Sequence, residues 1–184
     1  MKHTLAVLAS LLAALISASV AFADLTVGAA DDGGKLAEDG GAWFVAQMRE
    51  ARLQENRITV GWDPDHPTTI PQKEQLDRYL ANASAAGIRV MALISPTRAR
   101  ALTESANSRN DFVRYLVQVA RAYPTVKEIG VGNEPNQPRF WQPQFSTSGR
   151  NLACGAYERM LAQAYDALKA VDSSITVIGV SLSP

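Results

Sequence analysis

An excess of charge of either sign is missing from this chain, and so are most of the residues that thiol and metal chemistry require. Lys+Arg number 18 and Asp+Glu 18 among 184 residues, a formal net charge of zero. A balanced chain has no electrostatic pull towards nucleic acid or an anionic membrane, so no nucleic-acid partner is expected. Cysteine occurs once, at Cys154, which rules out an intrachain disulfide. In an apolar helical run that thiol is expected to pack as a small hydrophobe. The two histidines are His3 and His66, and a catalytic thiol would need one of them beside it. No set of His, Cys, Asp and Glu has metal-ligand spacing, so neither a metal nor another cofactor is expected. Phosphate-binding glycine turns are missing as well: no G-x-G-x-x-G follows the first strand, and there is no P-loop.

Long apolar runs are confined to the start. Lys2 and His3 precede an apolar run over residues 5–20, and Ala21-Phe22-Ala23 has the small-x-small form of a cleavage site. Residues 1–23 therefore read as a secretory signal peptide cut before Asp24. The rival reading is a membrane anchor, because the run approaches the ~20 residues that a span requires. Its serines and alanines and the Ala-Phe-Ala end favour cleavage. The mature protein is then extracellular or periplasmic and free of the membrane, with residues 24–184 as its folded portion. The sequence assigns no oligomeric state.

What is present is an alternation of two periods. Residues 25–30, 57–62, 88–94, 126–134 and 175–180 are short apolar runs closed by Gly, Pro or Asp, and read as strands. Between them, helical spacing marks residues 43–53, a helix with Pro71 in its first turn and Gly87 at its end, residues 108–123, and a segment carrying Leu152, Ala156, Tyr157, Met160, Leu161, Tyr165 and Leu168. Ser108 resembles a helix start, and Trp43 is expected in the core. Strands recur at intervals of roughly 30–40 residues, as parallel βαβ units do. The runs are apolar throughout rather than alternating, which suits strands covered on both faces. An open doubly wound sheet and a (β/α)8 TIM barrel both fit this α/β pattern. The missing glycine turn favours the barrel, of which strands 1 to 5 are present; a complete five-stranded sheet is the rival. A whole barrel needs eight strands and about 250 residues, so the chain is expected to be an N-terminal portion.

In such a barrel the C-terminal ends of the strands carry the chemistry. Those ends collect Asp31 and Asp32; Trp62, Asp63, Asp65 and His66; Ser95 and Arg98; Asn133, Glu134 and Asn136; and Ser181. The opposite ends hold nothing comparable. Residues 126–136 read Val-Lys-Glu-Ile-Gly-Val-Gly-Asn-Glu-Pro-Asn. Pro135 has no N–H, so the strand is expected to stop at Glu134. A carboxylate at a buried strand mouth is costly unless it has a partner or a task.

Asn-Glu-Pro closing a fourth barrel strand resembles the acid/base signature of clan A glycoside hydrolases, the cellulase-like retaining enzymes. The resemblance covers most of the mature chain as a strand–helix layout and is sharpest over residues 132–136. It implies a secreted glycosidase that hydrolyses O-glycosidic bonds of poly- or oligosaccharides, with Glu134 as general acid/base and Asn133 on the sugar's 2-hydroxyl. Retention needs a second carboxylate about 5–5.5 Å away. The resemblance puts it on a Glu at the end of a seventh strand, which this sequence does not contain, so the chain alone is expected to be inactive. Trp62 foremost, then Phe140 and Trp141, are candidate platforms for sugar rings, with loop packing as the alternative. His66 and Asn136 are candidates for sugar hydroxyls. Arg98 and Arg100 either pair with active-site carboxylates or face solvent. The competing function is a non-catalytic carbohydrate-binding barrel derived from such enzymes; a barrel of unrelated chemistry would need a metal cluster or phosphate loop elsewhere. The glycan itself is not legible.

Overall fold

A computed structural model describes residues 25–184; the signal peptide expected at 1–23 lies outside the described residues. The elements run β1 (Gly28–Ala30), α1 (Gly33–Leu36), α2 (Ala42–Glu50), β2 (Glu55–Trp62), α3 (Lys73–Ala85), β3 (Arg89–Pro96), α4 (Ala106–Ala122), β4 (Glu128–Val131), α5 (Ala153–Val171) and β5 (Thr176–Ile178). All strands are parallel and pair in chain order, β1-β2-β3-β4-β5. A doubly wound sheet reverses its strand order at a switch point; here the order never reverses. The array is that of the N-terminal part of a (β/α)8 barrel. Among the described residues no helix is long and apolar enough to cross a membrane.

Helix faces follow the sequence period closely. In α3 the buried residues are Leu76, Tyr79, Leu80 and Ala83, the stripe that helical spacing predicts. In α4, Phe112, Tyr115, Leu116 and Val119 are buried. The cap of α4 is Ser105, whose side chain accepts from Ser108 N at 3.1 Å, so the helix begins before the expected Ser108. In α5 the buried stripe is Ala153, Tyr157, Met160, Ala164 and Leu168. Cys154 and Tyr165 lie off that stripe and are exposed, contrary to expectation. Trp43 departs likewise: α2 buries Val45 and Met48, while Trp43, two residues before Val45 and on another face, is 69% exposed.

Strand parity needs a correction too. Along β2 burial alternates: Asn56, Ile58, Val60 and Trp62 are buried, and Glu55, Arg57, Thr59 and Gly61 are half-exposed. The buried set joins the core with Leu76, Tyr79 and Phe112 from the helices. The other set belongs to the face that a closed barrel turns inward. Register aligns Glu55 with Arg89, and Arg57 with Met91, Glu128 and Thr176. The N-terminal end of the sheet therefore carries charged residues of its own, a set that the comparison of strand ends had passed over. Arg89 Nη2 donates to Glu55 Oε2 at 3.0 Å and to Thr26 Oγ1 at 2.7 Å. Burial, and next the charge of Glu55, push the Glu128 carboxyl above its ordinary pKa.

Candidate active site at the C-terminal ends of the strands

β4 ends at Val131, earlier than the expected Glu134. The cause is Gly132 at φ +75°, a left-handed step that glycine takes without the Cβ penalty. Gly132 N still donates to Ile94 O at 2.8 Å, holding the exit of β4 against β3. Two residues on, Glu134 has φ +37°. A non-glycine residue there costs about 1–3 kcal/mol and persists where its surroundings over-determine it. They do so here. Gln137 N donates to Glu134 O at 2.8 Å, and Gln144 Nε2 donates to Pro135 O at 2.9 Å and to Trp141 O at 2.8 Å. The Glu134 carboxylate joins none of these bonds. Glu134 and Asn133 are both half-buried at the mouth of β4.

The aromatic candidates separate. Trp62 is fully buried, edge-on to Phe112 at 5.2 Å, with Nε1 donating to Pro67 O at 3.3 Å. It shares the parity of Ile58 and Val60, so it is a core residue and no sugar platform. Trp141 is 3% exposed and lies edge-on to Tyr157 at 5.9 Å, which removes it as a platform as well. Its Nε1 is buried without a partner among the described residues. Phe140 stays half-exposed, with the Arg139 guanidinium 5.5 Å from its ring centre.

The polar candidates separate too. Asn136 grips the backbone of Ser183 at both ends of its amide: Nδ2 donates to Ser183 O at 2.9 Å, and Oδ1 accepts from Ser183 N at 3.2 Å. Its amide is thus engaged with the chain itself rather than open to a sugar. His66 has a 72% exposed side chain 3.2 Å from Asp63 Oδ2. Arg98 joins two loops, 2.8 Å from Asp65 and 2.9 Å from Glu104. The Arg98 guanidinium holds Asp65 and Glu104 below the usual carboxylate range. The Asp65 N–H, then the His66 ring, do the same for Asp63. Asp31 Oδ1 accepts from Gly33 N at 2.6 Å, and Asp32 Oδ1 from Thr59 N at 2.8 Å. These carboxylates are engaged in ion pairs and in hydrogen bonds that hold the loops.

Three positions escaped the sequence reading. Tyr157, buried on α5, donates its hydroxyl to Val131 O at 2.7 Å and accepts from Val180 N at 2.8 Å, tying the exits of β4 and β5 together. Burial raises the pKa of that hydroxyl, which keeps it a donor. A buried tyrosine normally needs a hydroxyl partner, and that was the available signal. Asn56 lies on the buried parity of β2; it donates to Asp31 O at 2.9 Å and to Tyr79 Oη at 2.7 Å. Strict period-two counting from Ile58 would have put it there. Lys35 is buried, with Nζ 2.5 Å from Thr59 O and 3.2 Å from Asp32; nothing in its one-turn helix signals this.

No protein-family model matches the chain, and no curated protein matches its sequence. Solved structures do match the fold. An endo-1,4-beta-mannanase from Rhizomucor miehei superposes with a TM-score of 0.61 at 12% identity, over 85% of this chain and 56% of that one. A family 39 glycoside hydrolase from Bacteroides cellulosilyticus WH2 gives 0.57 at 16% identity, over 85% and 31%. A psychrophilic beta-glucosidase from Micrococcus antarcticus gives 0.55 at 19% identity, over 74% and 33%. The chain thus spans between about a third and just over half of the length of these structures. At such identities the likeness is one of fold.

Proposed function

We propose that this chain forms the acid/base half of a secreted retaining O-glycosidase, with Glu134 as general acid/base and a poly- or oligosaccharide as substrate. The observation that carries the reading is Glu134 itself. It stands at φ +37° at the exit of β4, on the edge where barrel enzymes do their chemistry, while the carboxylates of neighbouring loops are tied up in ion pairs and turns. The Asn-Glu-Pro signature and the glycoside hydrolases that share the fold support it. Glu134 gives its proton to the glycosidic oxygen as the bond to the anomeric carbon breaks. A carboxylate supplied from outside this chain attacks that carbon from the other face. Glu134 then takes a proton from the water that releases the sugar. Asn133 donates to the 2-hydroxyl, and His66, whose Nδ1 is paired with Asp63, meets an outer hydroxyl through Nε2. Export through the leader at 1–23 belongs to the same reading.

Two measurements test it. The chain expressed alone is expected not to hydrolyse aryl glycosides; hydrolysis lost on Glu134→Gln would instead place the nucleophile within it. In a protein extended to a complete barrel, Glu134→Gln is expected to lower kcat/KM by about 10²–10⁴-fold, the range of general acid–base contributions. An unchanged rate there would leave the non-catalytic carbohydrate-binding barrel as the reading that stands.

A further inference from the structure

The ladder between β4 and β5 is interrupted by a side chain just before the Glu134 loop. Gly130 stands opposite Ile178, the last pair in register. In a parallel ladder the next rung would carry a bond from Val180 N to Val131 O. The Tyr157 hydroxyl occupies that rung: it accepts from Val180 N at 2.8 Å and donates to Val131 O at 2.7 Å. On its other side β4 goes on bonding to β3, since Gly132 N donates to Ile94 O at 2.8 Å. The two exits are held one hydroxyl apart, and β4 parts from β5 where the chain turns towards Glu134.

The Tyr157 ring meets the same loop at two places. A Cβ on Gly132 would stand 3.5 Å from Tyr157 Cε2, and Trp141, at the far end of the loop, lies edge-on at 5.9 Å. Tyr157 is 5% exposed, so these contacts belong to the interior and not to an open edge of the sheet. Beyond Glu134 a second tie reaches the same segment, because Asn136 takes both backbone groups of Ser183. Glu134 thus hangs between two fastenings to residues 180–183, one buried and one exposed. Left-handed backbone falls on each side of the hydroxyl, at Glu134 (φ +37°) and at Val180 (φ +56°). A β-branched residue adopts that conformation only under constraint, and such strain persists where the surroundings over-determine it.

We propose that Tyr157 is a positioning residue for Glu134: its hydroxyl, inserted between Val131 and Val180, sets the backbone from which the carboxyl is presented. A misplacement of about 1 Å in a reacting group can cost on the order of a hundredfold in rate. A hydroxyl that spaces two strand exits therefore acts on the chemistry without touching the substrate. The consequence for catalysis rests on the proposed role of Glu134; the spacing rests on the interrupted rung.

Tyr115 supplies the control. It too is buried, and its hydroxyl donates to one backbone carbonyl, Gly61 O, at 2.8 Å near the exit of β2. In the complete barrel Tyr157→Phe should lower kcat by roughly ten- to a hundredfold with KM unchanged, whereas Tyr115→Phe should leave both unchanged. On a Glu134→Gln background Tyr157→Phe should cost nothing further, because both changes act on one proton transfer. Equal losses from the two tyrosine variants, or a loss that persists in full without the Glu134 carboxyl, overturn the proposal. The 184-residue chain gives a readout that needs no activity. Tyr157→Phe keeps the ring, so movement of the Asn133 and Glu134 amide NMR shifts reports backbone and not ring current. Asn136→Ala should move the same shifts and, being exposed, leaves the core intact should Tyr157→Phe fail to fold. Shifts unmoved in both variants overturn the positioning whatever the kinetics. Shifts that move while Glu134→Gln leaves the rate unchanged keep the positioning and remove the acid/base role.

Discussion

At the β1 flank of the sheet a buried amide, Asn56, reaches the backbone of Asp31 and the hydroxyl of Tyr79; at the β5 flank a buried phenol, Tyr157, reaches the backbone of Val131 and Val180. Each terminal strand is short, three residues long, and each exit is held by one side chain that bonds two partners. Beyond that the flanks diverge. Past β1, Asp32 accepts from Thr59 N and Lys35 donates to Thr59 O. Side chains thereby satisfy the edge of β2 where β1 has stopped, one of the ways proteins blunt a free edge. Past β5, Phe145, Val180 and Leu182 stay exposed around a cavity of about 760 Å³ whose lining also includes Leu161 and Pro138. Exposed apolar side chains occur on both flanks, Leu36 and Trp43 among them at β1. The difference lies in what surrounds them. Three carboxylates, Asp31, Glu38 and Asp39, share the lining around Trp43, whereas one, Glu158, shares the mainly apolar lining around Phe145 and Leu182.

The comparison can be broken most directly at the two clamps. Asn56→Ala should destabilise by about 3 kcal/mol in denaturant titration, because Asp31 O and the Tyr79 hydroxyl each lose a partner at roughly 1–3 kcal/mol, while Asp31 N keeps its bond to Arg57 O at 3.1 Å. Tyr157→Phe keeps the ring against Trp141 and removes only the hydroxyl, so about 1–2 kcal/mol is expected. The same variant should speed hydrogen exchange of the Val180 amide more than that of amides in β2. Equal losses for the two variants would mean that the flanks are clamped equally despite their different finish.

The smallest effect is that of acid. Backbone N–H groups of Trp43 and Gly41 hold Asp39 below its ordinary pKa at the β1 flank, and Lys127, with Ser174, does so for Asp172 just before β5. A carboxylate whose folded pKa is depressed contributes stability above its unfolded pKa, here the ordinary 3.8, and loses it as pH falls through the folded value. Melting temperature should therefore fall below about pH 4, and Asp39→Asn and Asp172→Asn should each flatten that acid limb. Both carboxylates face solvent, so salt should weaken the effect. An acid limb unchanged in both variants would show that neither flank depends on these charges.

Much of the fold was legible in the sequence, for a local reason. Leu76, Tyr79, Leu80 and Ala83 bury together because helical spacing puts them on one side of α3 whatever lies opposite. The place of Trp62 was legible too: period two from Ile58 and Val60 puts it in the core, and reading the strand as uniformly apolar hid that. The inward charges Glu55, Arg57, Arg89 and Glu128 were hidden by the same assumption. Of the candidate site, the position of Glu134 after the fourth strand was legible, because Pro135 punctuates the chain. Its left-handed backbone was not. Gly132 breaks the strand first, and the bonds from Gln137 and Gln144 that hold the loop come from beyond the motif.

By itself the sequence determined the alternation of strands and helices, the buried faces of α3 and α4, and a carboxylate at the mouth of β4. Each of these depends on spacing within one segment. Only the tertiary structure decided that Trp43 faces out, that Asn136 grips the chain instead of standing open, and that Asn56 and Tyr157 close the two flanks. Asn56, Asn136 and Tyr157 find their partners 25, 47 and 26 residues away along the chain. Such bonds exist only once strand order and register have brought distant backbone together, and no local period encodes that distance.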